Sequence, residues 1–399
     1  MTVRDVLGLA EFQGVVVSSG LSVLGDQLAR IAVALLVYER TGSALASSAT
    51  WACSYLSWLV GGPVLSALAD RQRRRRLMIG CDLARLVLVA VLVLPGVPLP
   101  VVFAVLVVVG LLSPPFDAAK GALLPEILEG DRYVTGNAVL GVVTQAAQVG
   151  GLFLGGVLVA AAGARGALAV DAGTFLVSAL ALALLVRERP APSASGGSLA
   201  GDVRLGARLV AGSPVLLRML GFGLLGAVVV VAPEGLAVPV ADRVGGGPVT
   251  AGVLSAAVPT GFLLGSFLVL RVDAARRPDL LPGLLALACV PLLLTPLAGS
   301  GAAVALLWLL SGAGGAGQLV ANAGFMTAAP PQARGRVFGL AVTLLMAVQG
   351  VVLLTAGALS EVVGPRASVA AAALLALALV PLVPRAAPGP APSGRGILG

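Results

Sequence analysis

Apolar residues in this chain come in long unbroken blocks, not in the strict alternation of half-buried strands or in short amphipathic stripes. The blocks fall at 12–38, 43–69, 77–97, 100–121, 134–161 and 165–187, and again at 216–241, 249–271, 280–299, 301–328, 336–361 and 366–384, each delimited by charge, glycine or proline. About twenty apolar residues are needed to cross a hydrocarbon core of about 30 Å as a helix, so each block is expected to span a bilayer. Between the two sets of six, the stretch 187–214 carries Pro190, Pro192, Ser193, Ser195, Gly196, Gly197 and Ser198 and reads as a linker, with a short surface helix expected over 202–217. The expected organisation is a six-helix bundle over 1–187, a cytoplasmic linker over 188–214, a second bundle over 215–385 and a flexible tail over 386–399.

Composition sharpens this reading. Of 399 residues, 58% are hydrophobic and 11% charged, against roughly 25% charge in a soluble globular chain. The mean hydropathy is +1.03. An all-α membrane protein follows; the alternating segments of a transmembrane barrel are absent. The net charge of +8 does not point to nucleic acid, because the basic residues sit in short connections without aromatic interleaving. They point instead to topology and to anionic lipid. With the N-terminus inside, Arg4, Arg71, Arg73, Arg74, Arg75, Arg76, Lys120, Arg132, Arg187, Arg189, Arg204, Arg208, Arg218, Arg271, Arg276, Arg277, Arg334, Arg336, Arg385 and Arg395 share one side. Only Arg40, Arg165, Arg243 and Arg366 lie on the other, so both termini are expected in the cytoplasm of an inner-membrane protein.

Cys53, Cys81 and Cys289 lie inside apolar blocks without metal spacing and read as buried hydrophobes. Histidine is absent, which removes the commonest metal ligand and leaves proton handling to carboxylates. No metal or cofactor is expected. No Gly-x-x-x-x-Gly-Lys-Ser/Thr loop exists to bind a nucleotide, and no nucleophile elbow marks an enzyme.

Charges inside the spans carry the candidate chemistry, since each unpaired one costs several kcal/mol in hydrocarbon. Asp26 and Arg30 are four residues apart on one face of the first span and are expected to pair. Two readings stay open: a helix-stabilising ion pair, or a protonatable carboxylate tuned by the arginine. Glu234 follows Pro233 in the seventh span, where a proline kink frees carbonyls beside an acid; it is either a coupling site or an acid paired near the external mouth. Asp171, shortly after Arg165, reads as structural. Asp82 and Arg85, three apart at the start of the third span, are expected to join the charges of the 70–76 loop. Gln145, Gln148, Gln318, Asn322 and Gln349 are uncharged polar groups in apolar runs, and serve either as helix-bonding groups or as substrate contacts. Aromatic residues make up only 4%, so a substrate cavity would be lined mainly by aliphatic side chains and would suit an amphiphilic or apolar molecule.

The two halves carry related features. A basic loop with an aspartate follows the second span (Asp70, Arg71, Arg73 to Arg76) and the eighth (Arg271, Asp273, Arg276, Arg277). At this point the chain resembles the major facilitator superfamily, in particular its branch of drug and siderophore exporters typified by enterobactin exporters. The resemblance rests on Asp70-Arg71-Gln72-Arg73-Arg74-Arg75-Arg76, Leu24-Gly25-Asp26, Tyr38-Glu39-Arg40-Thr41-Gly42-Ser43, Leu124-Pro125-Glu126 with Gly136-Asn137-Ala138, Pro233-Glu234-Gly235-Leu236 and Arg334-Gly335-Arg336-Val337. Ser66 and Arg73 replace glycines of the loop motif. In the fifth span Gly151, Gly155 and Gly156 keep the packing glycines of the antiporter signature, with Leu152 where that signature has proline.

The resemblance implies twelve helices in two pseudo-symmetric bundles and a secondary active transporter without ATP chemistry. It further implies proton-coupled efflux of a hydrophobic or amphiphilic small molecule by alternating access, in a monomer whose partners are substrate, protons and lipid. It makes Asp70 and Arg71, with Arg74 and Arg75, a conformational latch against the opposite half. A proton-driven importer, a non-transporting receptor or assembly protein on the same scaffold, and more weakly a membrane-embedded enzyme are the alternatives.

Overall fold

A computed structural model describes residues 3–65, 72–189 and 199–384. Among these residues the chain is helical with no strand, as the missing hydrogen-bond partners in hydrocarbon require of any spanning segment that is not a closed barrel. The spans are α1 (Ala10–Thr41), α2 (Ala44–Leu65), α3 (Arg74–Val93), α4 (Leu99–Ile127), α5 (131–162), α6 (164–185), α7 (Pro214–Arg243), α8 (Pro248–Leu270), α9 (Arg277–Leu297), α10 (Gly301–Ala328), α11 (Arg334–Val363) and α12 (Pro365–Leu382). Nine helices among the described residues are long and apolar enough to cross a membrane by length and composition alone. One of these, Asp131–Leu185, folds back at Gly163 (φ 72°, ψ 169°) to give α5 and α6. The two spans outside that set, α2 and α3, include the helix that carries Asp82, Arg85 and a basic first turn.

Helix ends follow local chemistry. Gly42 closes α1 in the left-handed conformation (φ 64°). Pro248 and Pro365 start α8 and α12 at positions where a missing N–H costs nothing. The surface helix runs over Leu199–Ala211, not 202–217. The reason is Ser213, whose Oγ accepts from the Leu216 N–H at 3.4 Å, with Pro214 behind it: together they begin α7 afresh. Gly206 and Val210 of the surface helix are buried, and Gly206 lies against the Arg336 carbonyl at the start of α11.

The first six spans pack on one another, as do the last six, and α2 with α11 and α5 with α8 form the main contacts between the two bundles. We call the end where α1 begins proximal and the end where it finishes distal. Large apolar side chains stand exposed around the outside, among them Val87, Leu184, Phe267, Leu297 and Val362, where a bilayer and not water is the natural solvent.

Candidate functional site

At the distal end the bundles are closed on each other. Glu361 of α11 accepts from Ser43 Oγ at 2.7 Å and from the Leu45 backbone N–H at 3.0 Å, so a carboxylate from one bundle caps the N-terminus of α2 in the other. Tyr38 donates to Asp242 at 3.1 Å, and deeper in, Ser48 donates to the Gly235 carbonyl at 2.9 Å. Small residues permit this closeness. A Cβ on Gly156 would meet the Pro248 carbonyl at 2.4 Å and Gly252 Cα at 2.8 Å, and one on Gly357 would meet Leu45 Cα at 3.0 Å. Gly151 and Gly155 serve the same end inside the first bundle, against the backbones of Leu24 and Leu28. Each hydrogen bond contributes only about 1 kcal/mol net, so these polar contacts add a few kcal/mol to the packing at the closed end, a bias that a ligand or proton of matching differential affinity can offset.

Proximal to these contacts, polar and charged groups gather at mid-span. Asp26 and Arg30 share the wall of a cavity of about 70 Å³ with Ser54, Trp58, Ser113 and Asp171. Contrary to the expectation from their spacing, Asp26 and Arg30 form no ion pair within 4.0 Å. Arg30 instead lies over the Trp51 ring at 5.6 Å, with the Tyr55 hydroxyl and Glu234 as its polar neighbours. The folded chain offers the guanidinium an aromatic face together with a second carboxylate, which the spacing along α1 does not reveal. Glu234, 9% exposed, accepts from Tyr55 Oη at 3.1 Å across the interface between α2 and α7. One guanidinium thus stands between two carboxylates that belong to different bundles.

Behind Asp26 lies a second set. Asp82 and Arg85 are 0% and 1% exposed and 4.0 Å apart. Asp82 accepts from Ser178 Oγ at 2.5 Å, and Arg85 donates to Ser22 Oγ at 3.2 Å and Ser113 Oγ at 2.9 Å while lying over the Phe116 and Phe175 rings. This corrects their assignment to the charged loop. They sit more than two turns inside α3 and face α1, α4 and α6, so their partners are serines of those spans. Asp171, which the sequence reads as structural, stands beside this set. It is 1% exposed and approaches α1 at Gly25, where a Cβ would lie 2.3 Å from its Oδ1 and 2.1 Å from Thr174 Oγ1. The absence of a side chain at Gly25 is what admits it beside Asp26.

Asp70 and Arg71 lie outside the described residues. Arg74 and Arg75, expected to face the opposite half, are bound within their own. Arg74 donates to the Ala122 carbonyl at 2.9 Å and pairs with Glu126, while Arg75 holds the Leu182 and Ala183 carbonyls at the C-terminus of α6. Free carbonyls carrying the negative end of a helix dipole are the nearest acceptors for a cation there. Arg73 and Arg76 share Glu188 at 2.7 and 2.5 Å, and Arg189 reaches Glu11 at 2.7 Å, completing a rim that ties the proximal ends of α1, α3, α4 and α6. The hydrogen bond from Arg73, helped by the charge of Arg76, holds the Glu188 carboxyl below its ordinary range. This contact is therefore present above the usual carboxylate range and lost only as pH falls through the lowered value.

The second bundle offers a chamber of about 280 Å³, open in the proximal half between α7, α8, α10 and α11. Gln318 and Asn322 line it with Phe262, Phe325, Phe338 and Met219, and no charged side chain is in its wall. The Gln318 Nε2 group is buried without a protein partner, so a guest with an acceptor oxygen would satisfy a donor that is otherwise costly. Gln145 and Gln148 are half-buried on α5 and take no part in this wall; nor does Gln349, whose Oε1 is buried and unpartnered on α11. Sequence reasoning missed Tyr55 and Glu361, which lack any mark of their own. Among the described residues no group of acidic or sulfur ligands could hold a metal ion.

Comparison with known proteins gives this geometry a context. The family model described as Major Facilitator Superfamily matches residues 15–344. The chain is 29% identical over 371 residues to the multidrug efflux pump Tap of Mycolicibacterium fortuitum, covering 89% of this chain and 90% of that protein. Among solved structures it is similar to a bacterial homolog of the human lysosomal transporter Spinster in an inward-facing, occupied conformation (TM-score 0.73, 15% identity, 93% of this chain and 96% of that one). It is equally similar to the nucleoside transporter NupG (TM-score 0.73, 10% identity, 92% and 97%).

Proposed function

The chain belongs to the major facilitator superfamily, and from that premise we propose that this integral membrane transporter is a proton-coupled exporter of uncharged or weakly polar amphiphilic molecules. The observation that carries the coupling is Arg30, held between Asp26 of one bundle and Tyr55 and Glu234 of the interface with the other. When Asp26 is ionised it competes for the guanidinium and weakens the tie across the interface. When Asp26 takes a proton, Arg30 is left to Glu234 and the distal end closes. A proton bound from the distal side thereby favours the return to the distal-closed form, and its release on the proximal side frees the protein to open outward with cargo. That order of events is exchange: proton in, substrate out. The likeness to a multidrug efflux pump supports export, and the uncharged, phenylalanine-rich chamber open on the proximal side supports an amphiphilic guest.

The orientation rests on the arginine asymmetry, which makes proximal cytoplasmic. In intact cells, a single cysteine at Gly246 should react with an impermeant reagent and one at Ser195 should not; labelling of Ser195→Cys from outside would reverse the assignment. The loop over 70–76 is proposed as a latch that acts in the distal-open form, when the proximal ends meet. Asp70→Asn should then slow turnover severalfold while leaving expression and dye binding in place, and unchanged turnover would leave the loop a topogenic role only. The function itself is tested in proteoliposomes with an imposed pH gradient and a panel of uncharged amphiphilic fluorescent dyes. Export driven by the gradient and abolished by a protonophore is the expected result, and accumulation in the opposite direction would make the protein an importer.

A further inference from the structure

The charge balance of the buried groups does not close. Four carboxylates, Asp26, Asp82, Asp171 and Glu234, stand at mid-span with two guanidiniums, Arg30 and Arg85. Two of the acids are accounted for. Asp82 stands 4.0 Å from Arg85 and accepts from the Ser178 hydroxyl, and Glu234 accepts from the Tyr55 hydroxyl in the neighbourhood of Arg30. The remaining two, Asp26 and Asp171, face each other across the gap that Gly25 leaves between α1 and α6, in one small cavity. The charges acting on Asp26 are those of Arg85 and Arg30, each shared with a second acid, and of Asp117 and Lys120 on α4, which pair with each other at 2.6 Å and add no spare cation. Asp171 faces only Thr174, Asp26 and, farther off, Arg85; its Oδ2 is buried with no protein partner. Four carboxylates that share two guanidiniums in a medium of low dielectric cannot all stay ionised, and Asp171, with no cation at ion-pair distance among the described residues, and Asp26 in the same cavity are the two left to share a proton load.

The geometry assigns Asp171 with Asp26 as a two-proton binding site in the first bundle. Asp171 is then a proton carrier and not a structural acid, and the site fills in the distal-closed form described here. This deepens the coupling reading above and rests on it for its role in transport, but the site itself can be observed without any substrate. A pair of carboxyls can pass protons within a cavity that has room for about two waters, whereas Glu234 serves as counter-ion to Arg30 across the interface. The consequence for transport is that two protons move per cycle, one for each acid.

The test is infrared difference spectroscopy of the lipid-reconstituted protein on exchange from water into deuterium oxide, reading the carbonyl stretch of protonated carboxyl groups at neutral pH. With carbon-13 supplied in aspartate alone, the whole band should shift in the wild-type chain, and Asp171→Asn should remove about half of it, since the site holds two carboxyls of equal weight. Thr174→Val, which takes away only a hydroxyl beside Asp171, should move that half of the band without removing it. A band that ignores labelled aspartate would place the proton on Glu234 and overturn the assignment. So would a band unchanged in Asp171→Asn. A shifted aspartate band in a protein that moves no dye down a pH gradient would retain the site and sink the transport reading, so the two failures are separable.

Discussion

Asp26→Asn is expected to abolish pH-driven transport while leaving equilibration of dye down its own gradient. The amide mimics the protonated carboxyl permanently, so the variant keeps the packing of α1 but loses the competition for Arg30 that alternates between bundles. An intramembrane charge costs about 2.5–3.5 kcal/mol on insertion scales, which is enough to move a two-state population by roughly a hundredfold. Losing that term should reduce coupled flux by a similar factor. The check is uphill export in proteoliposomes beside downhill efflux from preloaded ones. Full uphill transport in Asp26→Asn would move the coupling to Glu234 or Asp171, and full transport in the Asp26→Asn, Glu234→Gln double variant would exclude coupling through both of those carboxylates.

The second large effect belongs to Gly156. Its added Cβ in Gly156→Ala would meet the Pro248 carbonyl and the Gly252 backbone, and neither can swing aside as a side chain could. Overpacking of this kind costs about 1–3 kcal/mol, a roughly five- to hundredfold shift of population toward the distal-open form. The change should not unfold the first bundle, because the clash is wholly with α8 of the other one. Gly150 on the same helix has open space beside it, so Gly150→Ala should be silent. Accessibility of a distal cysteine to an impermeant reagent reads both, and equal labelling of the two variants would show that this contact does not hold the distal end shut.

Much of the fold can be read from the chain because span length and helix breakers are local properties. The turn at Gly163 falls between the blocks ending at 161 and starting at 165, and α8, α10 and α12 begin within a residue of their expected positions. The linker helix was shifted because its end depends on one cap, Ser213, whose effect is visible only once Pro214 is seen to open a new helix. At the site, Asp26, Arg30 and Glu234 stand out as charges in apolar runs, yet their partners are set by tertiary neighbours. Spacing along α1 favours an Asp26–Arg30 pair, while the folded chain brings Trp51, Tyr55 and Glu234 to the arginine from α2 and α7. Asp171 is visible in the sequence but its neighbours are not, for the same reason: distance from Arg165 says how far along α6 it lies and nothing about Gly25 opposite. The arginines of the 70–76 loop show the converse, since the carbonyls that hold Arg75 belong to the end of α6, more than a hundred residues on.

The account turns on whether a proton at Asp26 decides which end of the molecule is closed. The most direct measurement is the distance between spin labels on Glu39 and Val362, exposed positions at the distal ends of α1 and α11, followed as pH is lowered in the reconstituted protein. In the wild-type chain the short-distance population should grow on acidification, and Asp26→Asn should hold the short distance with little response to pH. A full wild-type pH response in Asp26→Asn would contradict the account.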